Sequence, residues 1–214
     1  MSTGSPADVT RARLLSAAAE EFLERGYAAA SLSRIAERIG LTKGAFSHHF
    51  PTKDTLIDAM MSHVVTHAPE IVRAAEEAFP ESPVRACVAV MGGTAAAAHR
   101  DPVVAAAMLL FQDLSVDSRR VAPMRRTMAE MLEGRLRGAV EREGYTLTMP
   151  IDDAVQYLVI VLEGFLPASR FPDTFRPRHE PLFVRAALAG IGIGDAEAVV
   201  RDALTHLTVA ERAD

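Results

Sequence analysis

Residues 31–50 constrain this chain more than any other segment. Ser31 precedes Leu32, Ile35, Ala36 and Ile39, apolar residues at helical spacing. Gly40-Leu41-Thr42 follows, and Thr42 opens a second short pattern from Lys43 to His49, which Pro51 closes. Ser and Thr cap helix N-termini by accepting from a backbone N–H in the first turn, and Gly permits the tight reversal between the two patterns. Helices this short are not stable alone. They need the preceding segment, Asp8–Arg25, where Leu14, Leu15, Ala18, Phe22 and Leu23 fall at helical spacing before Gly26. The expected shared core is Ala45, Phe46 and Phe50 against Phe22, Ile35 and Ile39. Two short helices crossing steeply about such a turn form a helix-turn-helix. In that motif the second helix enters the major groove and meets base edges with its N-terminal residues.

That geometry assigns the outward face. Thr42, Lys43, Gly44, Ser47 and His48 are expected to face the duplex. Lys43 carries a long cation that reaches guanine or phosphate. Thr42 both caps the helix and offers a phosphate contact, and Gly44 allows close backbone approach. Ser33, Arg11 and Arg34 are further candidates for this surface, with plain solubilising charge as the alternative for the two arginines. The net charge of −5 is unevenly spread. Residues 1–53 hold seven Lys/Arg and five acids, a balance of +2, which leaves −7 for residues 54–214. Both lysines of the chain, Lys43 and Lys53, lie in the basic part.

The remainder reads as helices. Residues of hydrophobic type make up 49 % of the 214, Trp is absent, and Ala, the best helix former, is abundant. A fourth helix starts at Lys53 behind Thr52 and runs toward Phe79, with an interruption expected at Pro69. Ser82-Pro83 and Asp101-Pro102 each place a capping side chain before a proline suited to the first helical position. They open helices over 83–99 and 102–112. Asp113–Ala122 is polar and reads as a loop. Further helices are expected over 123–143, 152–167, 181–190 and 195–207, with a proline-containing connection at 168–180. No alternating strand pattern occurs. The expected fold is all-α, with a helix-turn-helix domain at 1–52 and a helical ligand-binding and dimerisation domain at 53–214.

No apolar run approaches the ~18 residues that span a bilayer, and Met1–Thr10 is polar, unlike a signal peptide. A cytoplasmic protein without a membrane partner is expected. Cys87 is the single cysteine, so no internal disulfide is expected. His63 and His67 lie one helical turn apart and read as a solvated pair. No metal or cofactor is expected. An enzyme would need a nucleophile, a base and an orienting group at distinctive spacing, and none is visible. Gly190-x-Gly192-x-Gly194 follows no strand and reads as a helix break.

Met124, Met128 and Met131 form a stripe that serves either as core or as ligand lining. With Met91, Met108, Phe111 and Gln112 it would line an apolar cavity with one polar anchor. Gln156 and Glu163 share a face of the helix at 152–167 and suit either ligand or dimer contacts. Val155, Leu158, Val159, Leu162 and Phe165, with Leu182, Phe183 and Ala186, form wide apolar faces. These either complete the core or, as preferred here, pair with a second copy. One small head makes too few phosphate contacts for specific binding. Two heads about one helical turn apart, ~34–36 Å, would read a palindromic operator.

The run Arg11-x-x-Leu14-Leu15-x-Ala17-Ala18 through Phe22, Gly26-Tyr27, Ile35-Ala36, Gly40-Leu41-Thr42-Lys43-Gly44 and His49-Phe50-x-x-Lys53 resembles the TetR family of transcriptional regulators. The resemblance implies an all-α homodimer that binds double-stranded DNA and is governed by a small-molecule effector. It places Thr42, Lys43, His48 and His49 on the recognition helix and Lys53 at a phosphate contact. Ser47 departs from the aromatic residue usual in that family. Asp101-Pro102-Val103-Val104 and the order of later helices also resemble the γ-butyrolactone receptors. Those carry a pocket tryptophan where Thr127 stands near in this chain. The implied function is a repressor released by a small, largely apolar ligand, butyrolactone-like or an unrelated hydrophobic drug or metabolite.

Overall fold

A computed structural model of the chain describes residues 6–169 and 179–210. Its elements in order are α1 (Pro6–Ala29), α2 (Leu32–Arg38), α3 (Lys43–His49), α4 (Lys53–Ala78), α5 (Pro83–Arg100), α6 (Pro102–Leu110), α7 (Ser118–Glu143), α8 (Ile151–Ser169), α9 (His179–Gly190) and α10 (Ala196–Ala210). No strand occurs among the described residues, and the fold is all-α with an N-terminal helix-turn-helix. The chain divides into two compact units that are not contiguous in sequence. One joins Met1–Thr66 to Ala97–Met124, and the other joins His67–Ala96 to Arg125–Asp214. This differs from a division into 1–52 and 53–214, because packing, not chain order, decides which helices share a core.

In the first unit, Leu14, Ala18, Phe22, Ile35, Ala36, Phe46, Phe50, Leu56, Ile57 and Met60 are buried. Helix α1 bends at Gly26, whose φ of 76° takes the left-handed region open to glycine. It packs along α6. Helix α6 is apolar on every side and accordingly buried from Val103 to Met108. Asp101 caps it, accepting from the Val103 N–H at 2.8 Å, with Pro102 in the first turn. The second carboxylate oxygen of Asp101 lies 2.7 Å from His63 Nε2 on α4. His63 is therefore not simply solvated; His67 is exposed.

In the second unit, Met91, Leu132, Leu136, Leu158, Val159, Ile191, Ile193 and Val199 form the centre of the core. Helix α4 continues through Pro69 without the expected interruption. Ser82 does not cap α5. The Glu143 carboxylate at the end of α7 accepts instead from the Val84 N–H at 2.8 Å and from the Ser82 hydroxyl at 2.7 Å. An ionised group is the stronger acceptor at a helix start. Helix α7 begins at Ser118, ahead of Pro123, so the expected loop at 113–122 is shorter.

The expected pairing face on α8 is also corrected. Val155, Leu158, Val159 and Leu162 are at most 3 % exposed and belong to the chain's own core. Tyr157 and Ile160 on α8, and Leu182, Phe183 and Ala186 on α9, are exposed instead. The side chain of Phe165 and residues 170–178 of the expected connection lie outside the described residues.

The Gly190–Gly194 break is a turn clasped by the segment after α7. Thr148 donates its N–H to the Ile191 carbonyl at 3.0 Å and its hydroxyl to that of Gly190 at 2.7 Å. Tyr145 donates to Asp195 at 2.6 Å, and partial burial together with that carboxylate pushes its phenol up to about 12. Gly192 has φ 106°, and a Cβ there would stand 2.4 Å from the Thr146 carbonyl oxygen. Gly192→Ala is expected to destabilise by about 3 kcal/mol or more, lowering Tm by roughly 6–12 °C. Gly164→Ala in α8, where a Cβ meets nothing within 4 Å, is expected to leave Tm unchanged or higher. Equal melting of the two variants in calorimetry would contradict this.

Candidate nucleic-acid interface

Two side-chain caps fix the start of each short helix. Ser31 Oγ accepts from the Arg34 N–H at 3.3 Å, and Thr42 Oγ1 accepts from the Ala45 N–H at 3.2 Å. Helix α3 is then held by two residues one turn apart. Phe46 and Phe50 are wholly buried, with ring centroids 5.9 Å apart. Ala45, expected in the core, is exposed, and Ile39 is half-buried. Two large rings on one edge of so short a helix satisfy the core without them.

This anchoring turns the other face outward. Thr42, Lys43, Gly44 and His48 are exposed, and Ser47 and His49 are half-buried. Lys43 forms no ion pair among the described residues, in a first turn that has no acidic residue. Gly44 answers no internal packing need: a Cβ there would approach nothing nearer than Thr42 Oγ1, at 4.0 Å. A glycine inside a helix costs about 1 kcal/mol relative to alanine, and no internal contact requires it here.

The other expected contact residues are tied inward. Arg11 donates to the His49 carbonyl at 3.2 Å, and its guanidinium carbon lies 4.2 Å from the Phe50 ring centroid. It thus serves the C-terminal end of α3, where the helix dipole favours a cation. Arg34 donates to the Ala29 carbonyl at 3.4 Å, and Ser33 is half-buried. Lys53 Nζ donates to the carbonyls of Tyr27 at 2.7 Å and Ala28 at 3.3 Å, and sits 4.4 Å from the Tyr27 ring centroid. Lys53 therefore fastens the end of α1 to the start of α4, whatever further contact it makes.

Sequence reasoning missed the rest of this fastening. The Tyr27 hydroxyl donates to Asp54 at 2.9 Å, and burial with that carboxylate raises its phenol. Arg120 at the start of α7 pairs with Asp54 and Asp58 at 2.8 and 2.6 Å. Glu21 is only 3 % exposed, and Arg25, Arg34 and Arg38 approach it at 3.5, 4.0 and 3.8 Å. Arg38 also donates to Glu20 and Glu24, and its hydrogen bond holds the Glu24 carboxyl below the usual range. Only the i, i+4 pair of Glu21 and Arg25 leaves a mark in the sequence.

Of the expected ligand residues, the structure joins Gln156 and Glu163. Arg125 donates to Gln156 at 3.1 Å and to Glu163 at 3.0 Å. Burial pushes the Glu163 carboxyl up, and Arg125 partly restores it. Met108 is buried, Phe111 half-buried and Gln112 exposed in the first unit. In the second, Met91, Met128 and Met131 are buried and Thr127 is half-buried. Met124 is buried as well.

Residues 14–60 match the family described as bacterial regulatory proteins, tetR family. The transcriptional regulator BetI of Paraburkholderia phytofirmans is 36 % identical over 85 residues, covering 38 % of this chain and 44 % of that relative. The chain thus matches under half the length of this regulator of transcription. Across nearly the whole chain, the crystal structure of a gamma-butyrolactone receptor (ArpA-like) is similar at 25 % identity and TM-score 0.76, covering 94 % of this chain and 98 % of the receptor. CprB of Streptomyces coelicolor, solved with its operator sequence, has the same fold at 22 % identity and TM-score 0.76, covering 97 % and 100 %.

Replacing Lys53 by Met keeps the apolar stem over Tyr27 but leaves two carbonyls without their donor. Lys53→Met is expected to cost about 1–2 kcal/mol, read as a Tm lower by roughly 2–8 °C. An unchanged melting curve would show that Lys53 does not hold α1 to α4.

Proposed function

We propose that this chain is a regulator of the tetR family, to which its residues 14–60 match, and works as a homodimeric repressor that binds a palindromic operator. The observation that carries this reading is the outward face of α3. Thr42, Lys43, Gly44 and His48 stand exposed on a helix whose opposite edge is locked by Phe46 and Phe50. Lys43 and Thr42 are the favoured groove residues, with His49 beside them for phosphate. Arg11, Arg34 and Lys53 remain second-rank contacts, because their inward bonds would be shared with the duplex, and half-buried Ser33 ranks with them.

Pairing is supported by the exposed apolar side chains Tyr157 and Ile160 on α8 and Leu182 and Phe183 on α9. Apolar residues grouped in this way suit a surface that a second copy covers. Two heads then supply the phosphate contacts that one lacks.

Release follows from a small, largely apolar ligand taken up by the helices between about 84 and 163. Met91, Met108, Phe111, Gln112, Thr127, Met128, Met131, Gln156 and Glu163 are its candidate contacts. The gamma-butyrolactone receptor of similar fold supports a butyrolactone-like signal. The absence of Trp favours an unrelated hydrophobic drug or metabolite as the second reading. The ligand acts only through its differential affinity for the released state. Helix α4 runs through Pro69 to Ala78, and the proline is a candidate place for the coupling.

Lys43→Ala is expected to weaken operator binding by about 1–3 kcal/mol in a gel shift, with the fold unchanged. Undiminished binding would overturn the role of Lys43. Light scattering is expected to give a dimer at micromolar concentration, and a monomer would overturn the pairing.

A further inference from the structure

The second unit contains a cavity of about 300 Å³ between the end of α4, the start of α5 and the later turns of α7. This volume is at the lower end of the range for small-molecule sites. Phe79 and Pro83 supply an apolar wall, and Glu76, Arg135 and Arg142 supply charge. The lining therefore carries one carboxylate against two guanidinium groups.

The charges are not mutually satisfied. Arg135 uses one terminal nitrogen on the Met131 carbonyl at 3.0 Å and the other on Glu76. Its Nε–H is buried and meets no acceptor. A buried donor without a partner is unusual in a folded protein and calls for an explanation such as a missing ligand or water. Arg142 makes no ion pair among the described residues. The nearest carboxylate in sequence, Glu143, is already bonded to Ser82 and Val84.

Gly134 of α7 keeps the space open, and Gly138 lets Pro83 and Arg142 lie close against the helix. Gly134 lines the cavity, and a Cβ there would meet nothing within 4 Å. At Gly138 a Cβ would stand 3.0 Å from the Pro83 ring and 3.1 Å from an Arg142 terminal nitrogen. The Arg142 head is thus laid back along α7 toward Pro83. Both glycines weaken the helix relative to alanine, and Gly134 has no packing reason to be there.

We propose that this cavity binds a small carboxylic acid in its ionised form. The carboxylate sits between Arg135 and Arg142, and a short aromatic or aliphatic body lies on Phe79 and Pro83. Guanidinium groups match carboxylate geometry closely, and the apolar wall favours such an acid over a bare inorganic anion. The site uses none of the residues offered above for the apolar effector and stands whether or not that reading holds.

Calorimetric titration of the full chain with benzoate, hexanoate, benzamide and inorganic phosphate tests this. Benzoate or hexanoate is expected to bind once per chain, with benzamide and phosphate weaker by about tenfold or more. Gly134→Leu fills the open space and is expected to remove benzoate and hexanoate binding while leaving Tm and operator binding intact. Arg142→Gln, at an exposed position, is expected to weaken both acids about tenfold. No heat from either acid at about 10 mM, benzamide or phosphate binding as tightly as the acids, or acid binding unaffected by both substitutions would each overturn the proposal.

Discussion

Burial of Phe46 and Phe50 is the interaction on which the proposed DNA-facing surface depends. Helix α3 has seven residues and cannot persist by backbone bonding alone. Its orientation comes from two fully buried rings on one edge and the Thr42 cap at its start. Each buried aromatic ring contributes on the order of 2–3 kcal/mol of transfer free energy, a large share of the net stability of a small folded unit. With that edge fixed, positions 42, 43, 44 and 48 stand exposed to solvent.

Cations around this core divide into two kinds. Arg11, Arg34, Arg38 and Lys53 each spend hydrogen bonds inside the unit, on carbonyl groups at helix ends or on carboxylates. Lys43 does not. The same arrangement extends to Arg120 on Asp54 and Asp58, and to His63 on the cap of α6. Basic residues near a helix-turn-helix thus hold the head together as much as they face DNA. The starts of α4 and α7 and the whole of α6 belong to the same compact unit as the head.

Local chemistry made much of this legible in the sequence. Ser31, Thr42 and Asp101 cap the helices that their positions suggest, and Gly26 takes the positive φ that ends the straight part of α1. Periodicity located the helices, because each buries one stripe of apolar side chains. Long-range pairing stayed hidden. Ser82 looked like a cap until Glu143, distant in sequence, proved the better acceptor. Val155, Leu158, Val159 and Leu162 looked like a pairing face, but periodicity marks a stripe as apolar without telling whether its partner is the same chain or another. Lys53 and Arg11 fall at motif positions, yet their carbonyl partners come from the path of the backbone, which spacing does not encode.

The account comes down to a surface that reads DNA in pairs. Its most direct test is selection of bound sequences from a random pool of double-stranded DNA by this chain. The account predicts enrichment of an inverted repeat whose half-site centres lie one or two helical turns apart, about 10 or 21 base pairs. Enrichment of a single half-site, or of no sequence at all, would contradict it.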